Sequence, residues 1–201
     1  MIYQSIILIK RFIMKNLFLM QKIDVKESIR SKWFLIYSLV FGSVIAIFFA
    51  DGVGQYAIYE FLGLNKMLLM YIQVSIIIIP IFVLISTITS IIKDKENNTL
   101  EYMLIFPISL SQYYWGKFIG RLVTIILPLF TALIIGIAYG MYKGLDLELT
   151  KFCIYIGMLI GLSIFFLGVS FFASSFLKTQ EMALSTAFFI WIFFIAFIDI
   201  I

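Results

Sequence analysis

The chain has no histidine, a single cysteine (Cys153), only three prolines, and charge on just 13% of its residues. Each shortage excludes something. Without histidine there is no imidazole general base and no histidine metal site, and one cysteine supports neither a disulfide framework nor a cysteine zinc cluster. Cys153 lies in an apolar run, where a lone thiol behaves as a small buried hydrophobe. Soluble globular domains carry charge on about a quarter of their residues. A chain with 13% charged and 63% hydrophobic residues and a mean hydropathy of +1.11 is instead an integral membrane protein. Its net charge of +4 does not signal a nucleic-acid partner, because the basic residues flank apolar segments and do not cluster with aromatics on one polar face.

What the chain does have is long apolar runs. A hydrocarbon core of about 30 Å needs about 20 apolar residues at a rise of about 1.5 Å each. On that basis spans are expected at about 33–50, 67–92, 122–142, 152–177 and 182–198. The runs are continuously apolar and do not alternate, which predicts helices and not barrel strands. The expected fold class is all-α, a polytopic helical membrane protein of about five transmembrane helices, multi-pass in the cell membrane. Twelve of the fifteen basic residues, Lys117, Arg121 and Lys178 among them, fall on the same side as the N-terminus, leaving Lys66, Lys143 and Lys151 opposite. By the positive-inside rule the N-terminus and the 93–121 loop are cytoplasmic and the C-terminus is outside.

Residues 1–32 read as an N-terminal interfacial amphipathic segment ahead of a transmembrane domain at 33–201. Met1 to Met20 is apolar but interrupted by Lys10, Arg11 and Lys15, and it lacks the small-residue cleavage site of a signal peptide. An irregular extension is the alternative for that stretch. Beyond it, Ile23, Val25 and Ile29 alternate with Lys22, Asp24, Lys26, Glu27 and Arg30, a pattern suited to a helix in the headgroup layer with its basic residues toward anionic lipid.

The polar run between the second and third spans is the most informative part of the chain. Asn98, Thr99, Leu100 and Glu101 have the form of a capping box, with a side-chain acceptor followed three residues later by a carboxylate, so a helix is predicted to start there. It carries Leu100, Met103 and Leu104 for little more than two turns, until Pro107 disfavours helix in the residue before it. Ser109 to Gln112 forms a second capping box, from which a helix runs through Trp115, Lys117 and Arg121 into the third span. The product is a short amphipathic helix beneath the membrane. Such a helix is too short to be stable alone, and its apolar side chains suit a partner's groove.

In this window Glu96, then Thr99-Leu100-Glu101, then Pro107-Ile108-Ser109, then Gly116-Lys117-Phe118 resemble the cytoplasmic loop of the ABC-2 type transporter permeases, in their NosY-like branch. The lead-in ending at Trp33 is similar to the segment before that family's first span. Two positions depart from the family pattern, Asn98 in place of Gly and Leu110 in place of Arg. Asn tolerates a left-handed backbone nearly as well as Gly, whereas the second change removes a charge.

The resemblance implies a half-size permease that pairs with a second copy or another permease, each docking one cytosolic ABC ATPase subunit through the loop helix. Leu100, Met103 and Leu104 would fill the ATPase groove, and Glu96 and Glu101 would supply cap and rim contacts. No phosphate-binding Gly-x-x-x-x-Gly-Lys-Ser/Thr loop occurs in the chain, so hydrolysis is expected in the partner and the chain is not itself expected to be an enzyme, nor to need a cofactor. The family has six spans with both ends inside, which makes a chain of five a candidate for C-terminal truncation.

Polar residues inside the spans, the usual pointers to a substrate path, are sparse. Asp51, Glu60, Gln73 and Asp199 lie near span ends, and Ser86, Thr87, Thr89, Ser163 and Ser170 are expected to bond back to their own helix or a neighbour. The small-residue pairs Gly136/Gly140 and Gly157/Gly161 are expected at close helix contacts, within one chain or across a dimer. Two readings from different classes result. One is an ABC permease subunit, probing a partner ATPase through its loop and moving substrate, by implication outward. The other is a non-transporting membrane scaffold or inactive truncated permease fragment.

Overall fold

The computed structural model describes residues 18–56, 64–105, 108–142 and 149–198, and every regular element among them is an α-helix. A short helix, α1 (18–29), precedes α2 (Lys32–Tyr56), α3 (Leu64–Glu96), α4 (Thr99–Ile105), α5 (Leu110–Tyr142), α6 (Leu149–Phe176) and α7 (Gln180–Ile198). Among the described residues Tyr71–Glu96, Leu110–Tyr139 and Phe152–Phe176 are long and apolar enough to cross a bilayer, and Phe34–Val44 and Gln180–Ala196 are shorter apolar helices. All five fall on spans expected from the sequence. The stretch Met1 to Asn16, Glu60 and Asp199 lie outside the described residues.

α3 is the axis of the bundle, packing along α6, α7 and α2, while α5 packs along α2 and α6. Its side chains Ile79, Val83, Leu84, Ile88 and Ile92 are fully buried. Spaced four apart except for the adjacent Val83 and Leu84, they keep one face of α3 continuously covered. Aromatic contacts tie the neighbours together. Tyr37 of α2 lies 4.6 Å from Phe41 and 5.0 Å from Phe82 of α3, Phe118 of α5 lies 5.5 Å from Phe171 of α6, and Phe166 of α6 meets Phe194 of α7 edge-on at 4.8 Å.

Both long central helices contain a proline, Pro80 in α3 and Pro128 in α5. A proline inside a helix lacks the amide that would serve the carbonyl four residues earlier, and its ring pushes the preceding turn open. In hydrocarbon the freed backbone must find another donor. One residue beyond each freed carbonyl, and three before the proline, a neighbouring helix donates a side-chain bond to the same turn. The Trp191 indole of α7 donates to the Ile77 carbonyl at 2.9 Å, and the Tyr37 hydroxyl of α2 donates to the Ile125 carbonyl at 3.1 Å. Span hydroxyls behave as expected, Thr89, Ser163 and Ser170 bonding to carbonyls of their own helices, whereas Thr87 is buried without a hydrogen-bond partner.

Of the two packings expected for the glycine pairs, Gly157 and Gly161 do not make the one within the chain. A methyl group at Gly157 or Gly161 would meet nothing within 4 Å, so this face of α6 is open within the chain. The close approach is at Gly120 of α5, where an added Cβ would lie 2.9 Å from Asp24 Oδ2 and 3.2 Å from the Gln21 carbonyl of α1. Only glycine lets α1 lie this close to α5.

Candidate functional site

Among the described residues, the segments that the charge bias assigns to one side of the membrane meet at one end of the bundle. The end of α3 leads into α4 through a tight turn in which Asn98 adopts a left-handed backbone, φ 53°. Its amide bonds the Lys95 carbonyl at 3.2 Å, closing α3, and its carbonyl accepts from the Tyr102 amide at 3.0 Å, opening α4. One asparagine thus ends one helix and begins the next, a backbone state asparagine tolerates better than most residues. The second predicted cap forms in full. The Ser109 amide donates to Gln112 Oε1 at 3.0 Å and the Gln112 amide donates to Ser109 Oγ at 3.3 Å, the reciprocal pair of a capping box.

Beneath α4 lies a buried charge cluster. Asp24 of α1, Asp94 of α3 and Lys117 and Arg121 of α5 are each less than a tenth exposed. Lys117 is ion-paired to Asp94 and lies 3.9 Å from Asp24, and Arg121 Nε lies 3.3 Å from the other Asp24 oxygen. The Tyr113 hydroxyl donates to Asp94, and the Arg121 guanidinium donates to Ser90 of α3. Two carboxylates face two cations, so the cluster is neutral overall, a condition for holding ions away from water. Burial pushes the Asp24 carboxyl above its ordinary value, against the opposing pull of Arg121 and Lys117. Three helices therefore meet at one set of charges.

The last residues of α3 also hold the α6–α7 turn. Lys95 Nζ donates to the Ser174 carbonyl in the last turn of α6 at 2.6 Å, and the Glu96 carboxylate accepts from the Gln180 amide at 2.9 Å and from the Gln180 side chain at 2.8 Å. A cation sits at a helix C-terminus and an anion at a helix N-terminus, each matched to the partial charge there. Thr179 adds a side-chain cap, accepting from the Met182 amide at 3.3 Å.

The residues singled out in the sequence are distributed as follows. Glu96 caps α7. Thr99 and half-buried Met103 turn inward, lining a small cleft with Met20 and Asp24 over the charge cluster. Glu101 is exposed, as are Tyr102 (66%) and Ile105 (78%), which makes these three the outward surface of α4. Pro107 and the side chains of Leu100 and Leu104 lie outside the described residues. Sequence reasoning missed the cluster because it treated Lys117 and Arg121 as topology charges and Asp24 as headgroup-facing. A usable signal was present: Tyr113, Lys117 and Arg121 recur every four residues, as do Met20, Asp24 and Ser28, and Ser90 and Asp94, which places each set on one helix face.

The architecture defines a multi-pass helical membrane protein whose polar end is organised around a short capped helix. Residues 19–201 match the family described as ABC-2 family transporter protein, and the chain belongs to that family. It is similar to the protein named "Probable ABC transporter permease protein NosY" from Pseudomonas aeruginosa, with 26% identity over 186 residues that cover 88% of this chain. The match spans 66% of that relative's length.

Proposed function

We propose that this chain is the membrane-spanning permease subunit of an ATP-binding cassette transporter, working with a cytosolic ATPase that binds the outward surface of α4. The family membership supports the class of protein, and the seat of α4 is the observation that carries the mechanism. A seven-residue helix does not persist by itself. Here it follows a tight turn at Asn98 and rests by Thr99 and Met103 on the cleft above Asp24, Asp94 and Lys117. A push on Tyr102 and Ile105 from a closing ATPase dimer would reach α1, α3 and α5 through that cluster, and α6 and α7 through Lys95 and Glu96. Rigid helices tied at shared charges give two distant sites a common free energy, which is what coupling requires.

The proposal assigns docking to Glu101, Tyr102 and Ile105 together with Leu100 and Leu104, and gives Met103 and Thr99 the role of seating the helix. It includes export as the direction, and a second permease copy, for which the open Gly157 and Gly161 face of α6 suits close helix packing. The test is co-purification with a candidate ABC ATPase from the same genome, comparing wild type with a Tyr102→Asp, Ile105→Asp variant. Both side chains are exposed, so the change leaves the bundle intact while placing two charges in the docking surface. Retention by the wild type and loss in the variant is expected. If the inserted, folded wild type retains no ATPase, the scaffold or inactive-fragment reading replaces this one.

A further inference from the structure

A cleft of about 220 Å³ opens beside the charge cluster, between the end of α1 with the following Ser31 and the start of α7, floored by α3. It is unlike the rest of the bundle in its lining. Arg121, buried, closes one end and Lys93, exposed, stands at the mouth, with the hydroxyls of Ser86, Thr89 and Ser90 along the floor and Gln180 on the α7 side. Leu184 is its apolar contribution. Arg121 is 6% exposed and its Nε lacks a hydrogen-bond partner, approached only by the Asp24 carboxylate at 3.3 Å. Glu27 also lines the cleft, paired with Lys93 at 3.6 Å, but both side chains are about half exposed, and exposed pairs of this kind hold weakly.

We propose that this cleft binds the phosphate group of an anionic ligand, and that the ligand is a phospholipid headgroup entering from the membrane. A tetrahedral phosphate offers acceptors in several directions. The cleft offers a guanidinium, an ammonium, the Ser90 hydroxyl and an amide arranged around one space, more donors than a planar carboxylate can use, while the Ser31, Ser86 and Thr89 hydroxyls donate to backbone carbonyls. Its position at the level where the spans emerge, with Leu184 at the edge, suits a lipid whose tails stay in the bilayer, and basic pockets between transmembrane helices bind anionic headgroups in this way. Occupation would draw Lys93 off Glu27 and engage the free donor capacity of Arg121. This inference goes beyond ATPase docking and does not depend on it, because binding is read on the chain alone.

The test places the full chain in nanodiscs of phosphatidylcholine and measures retention of added phosphatidylglycerol by native mass spectrometry. One retained phosphatidylglycerol per chain is expected. Lys93→Ala should weaken retention about fivefold, the effect of one basic residue near an anionic headgroup, and Glu27→Gln should strengthen it, since the lysine loses its competitor. A Ser90→Ala variant, neutral in charge, should also weaken retention, which general surface attraction would not produce. Displacement of the lipid by millimolar inorganic phosphate would keep the phosphate site and assign it to a soluble ligand. Retention indifferent to headgroup charge, or unchanged by the hydroxyl variant, or moved in the same direction by Lys93→Ala and Glu27→Gln, would overturn the proposal.

Discussion

The apolar middle of the bundle and its polar end hold the same helices together by opposite means. In the middle, most span hydroxyls bond within their own helices, and the bonds between helices are single ones from an aromatic side chain to a carbonyl in the turn before Pro80 or Pro128. At the polar end the bonds run between helices, through Asp24, Asp94, Lys117, Arg121, Lys95 and Glu96. The difference teaches where register is decided. Lipid tails are as apolar as leucine, so burial of side chains does little to choose one helix arrangement over another in a membrane. Ion pairs and capped termini have one geometry that satisfies them, and they sit where the proposed mechanical input arrives.

The comparison can be broken most forcefully at Lys117. Its replacement by alanine leaves Asp24 and Asp94 facing each other with only Arg121 opposite, and removal of one partner from a buried ionic set costs about 3–5 kcal/mol. Unfolding in mixed micelles should register that loss, and a Lys117→Met, Asp94→Leu pair should recover much of it if the loss comes from stranded charge. A smaller effect is expected at Gly120. Valine there forces α1 away from α5 by collision with Asp24 and the Gln21 carbonyl, at about 1–3 kcal/mol for overpacking, and proteolysis should cut residues 18–31 faster while the spans remain protected. The smallest effect belongs to the middle of the bundle. Trp191→Phe removes one interhelical bond to the Ile77 carbonyl, worth about 0.6 kcal/mol on average in membranes and at most about 1.7. A Trp191→Phe loss as large as that of Lys117→Ala would erase the contrast between the two regions.

Much of the fold was legible because membrane insertion and capping are local matters. The five apolar runs, the start of α4 beyond Asn98 and the reciprocal Ser109 and Gln112 cap follow from residues within a turn or two of one another. The site was legible only in part. Glu96, expected to supply cap and rim contacts in docking, caps α7, which begins at Gln180, a pairing no local pattern contains. Met103, grouped with Leu100 and Leu104 as groove-filling by the resemblance, instead turns inward, lining a cleft with Met20 of α1.

By itself the sequence determined that this is a helical membrane protein, where its helices begin, and which segments share a side of the bilayer, because hydropathy, caps and basic flanks act over distances shorter than one helix. Tertiary structure alone decided that Lys117 and Arg121 are buried partners of Asp24 and Asp94, that Gly120 and not Gly157 or Gly161 is the close contact, and that a polar cleft opens at Lys93. A charged residue carries the same side chain whether it faces lipid headgroups or a carboxylate on another helix, and only the packing of the helices brings that carboxylate within reach.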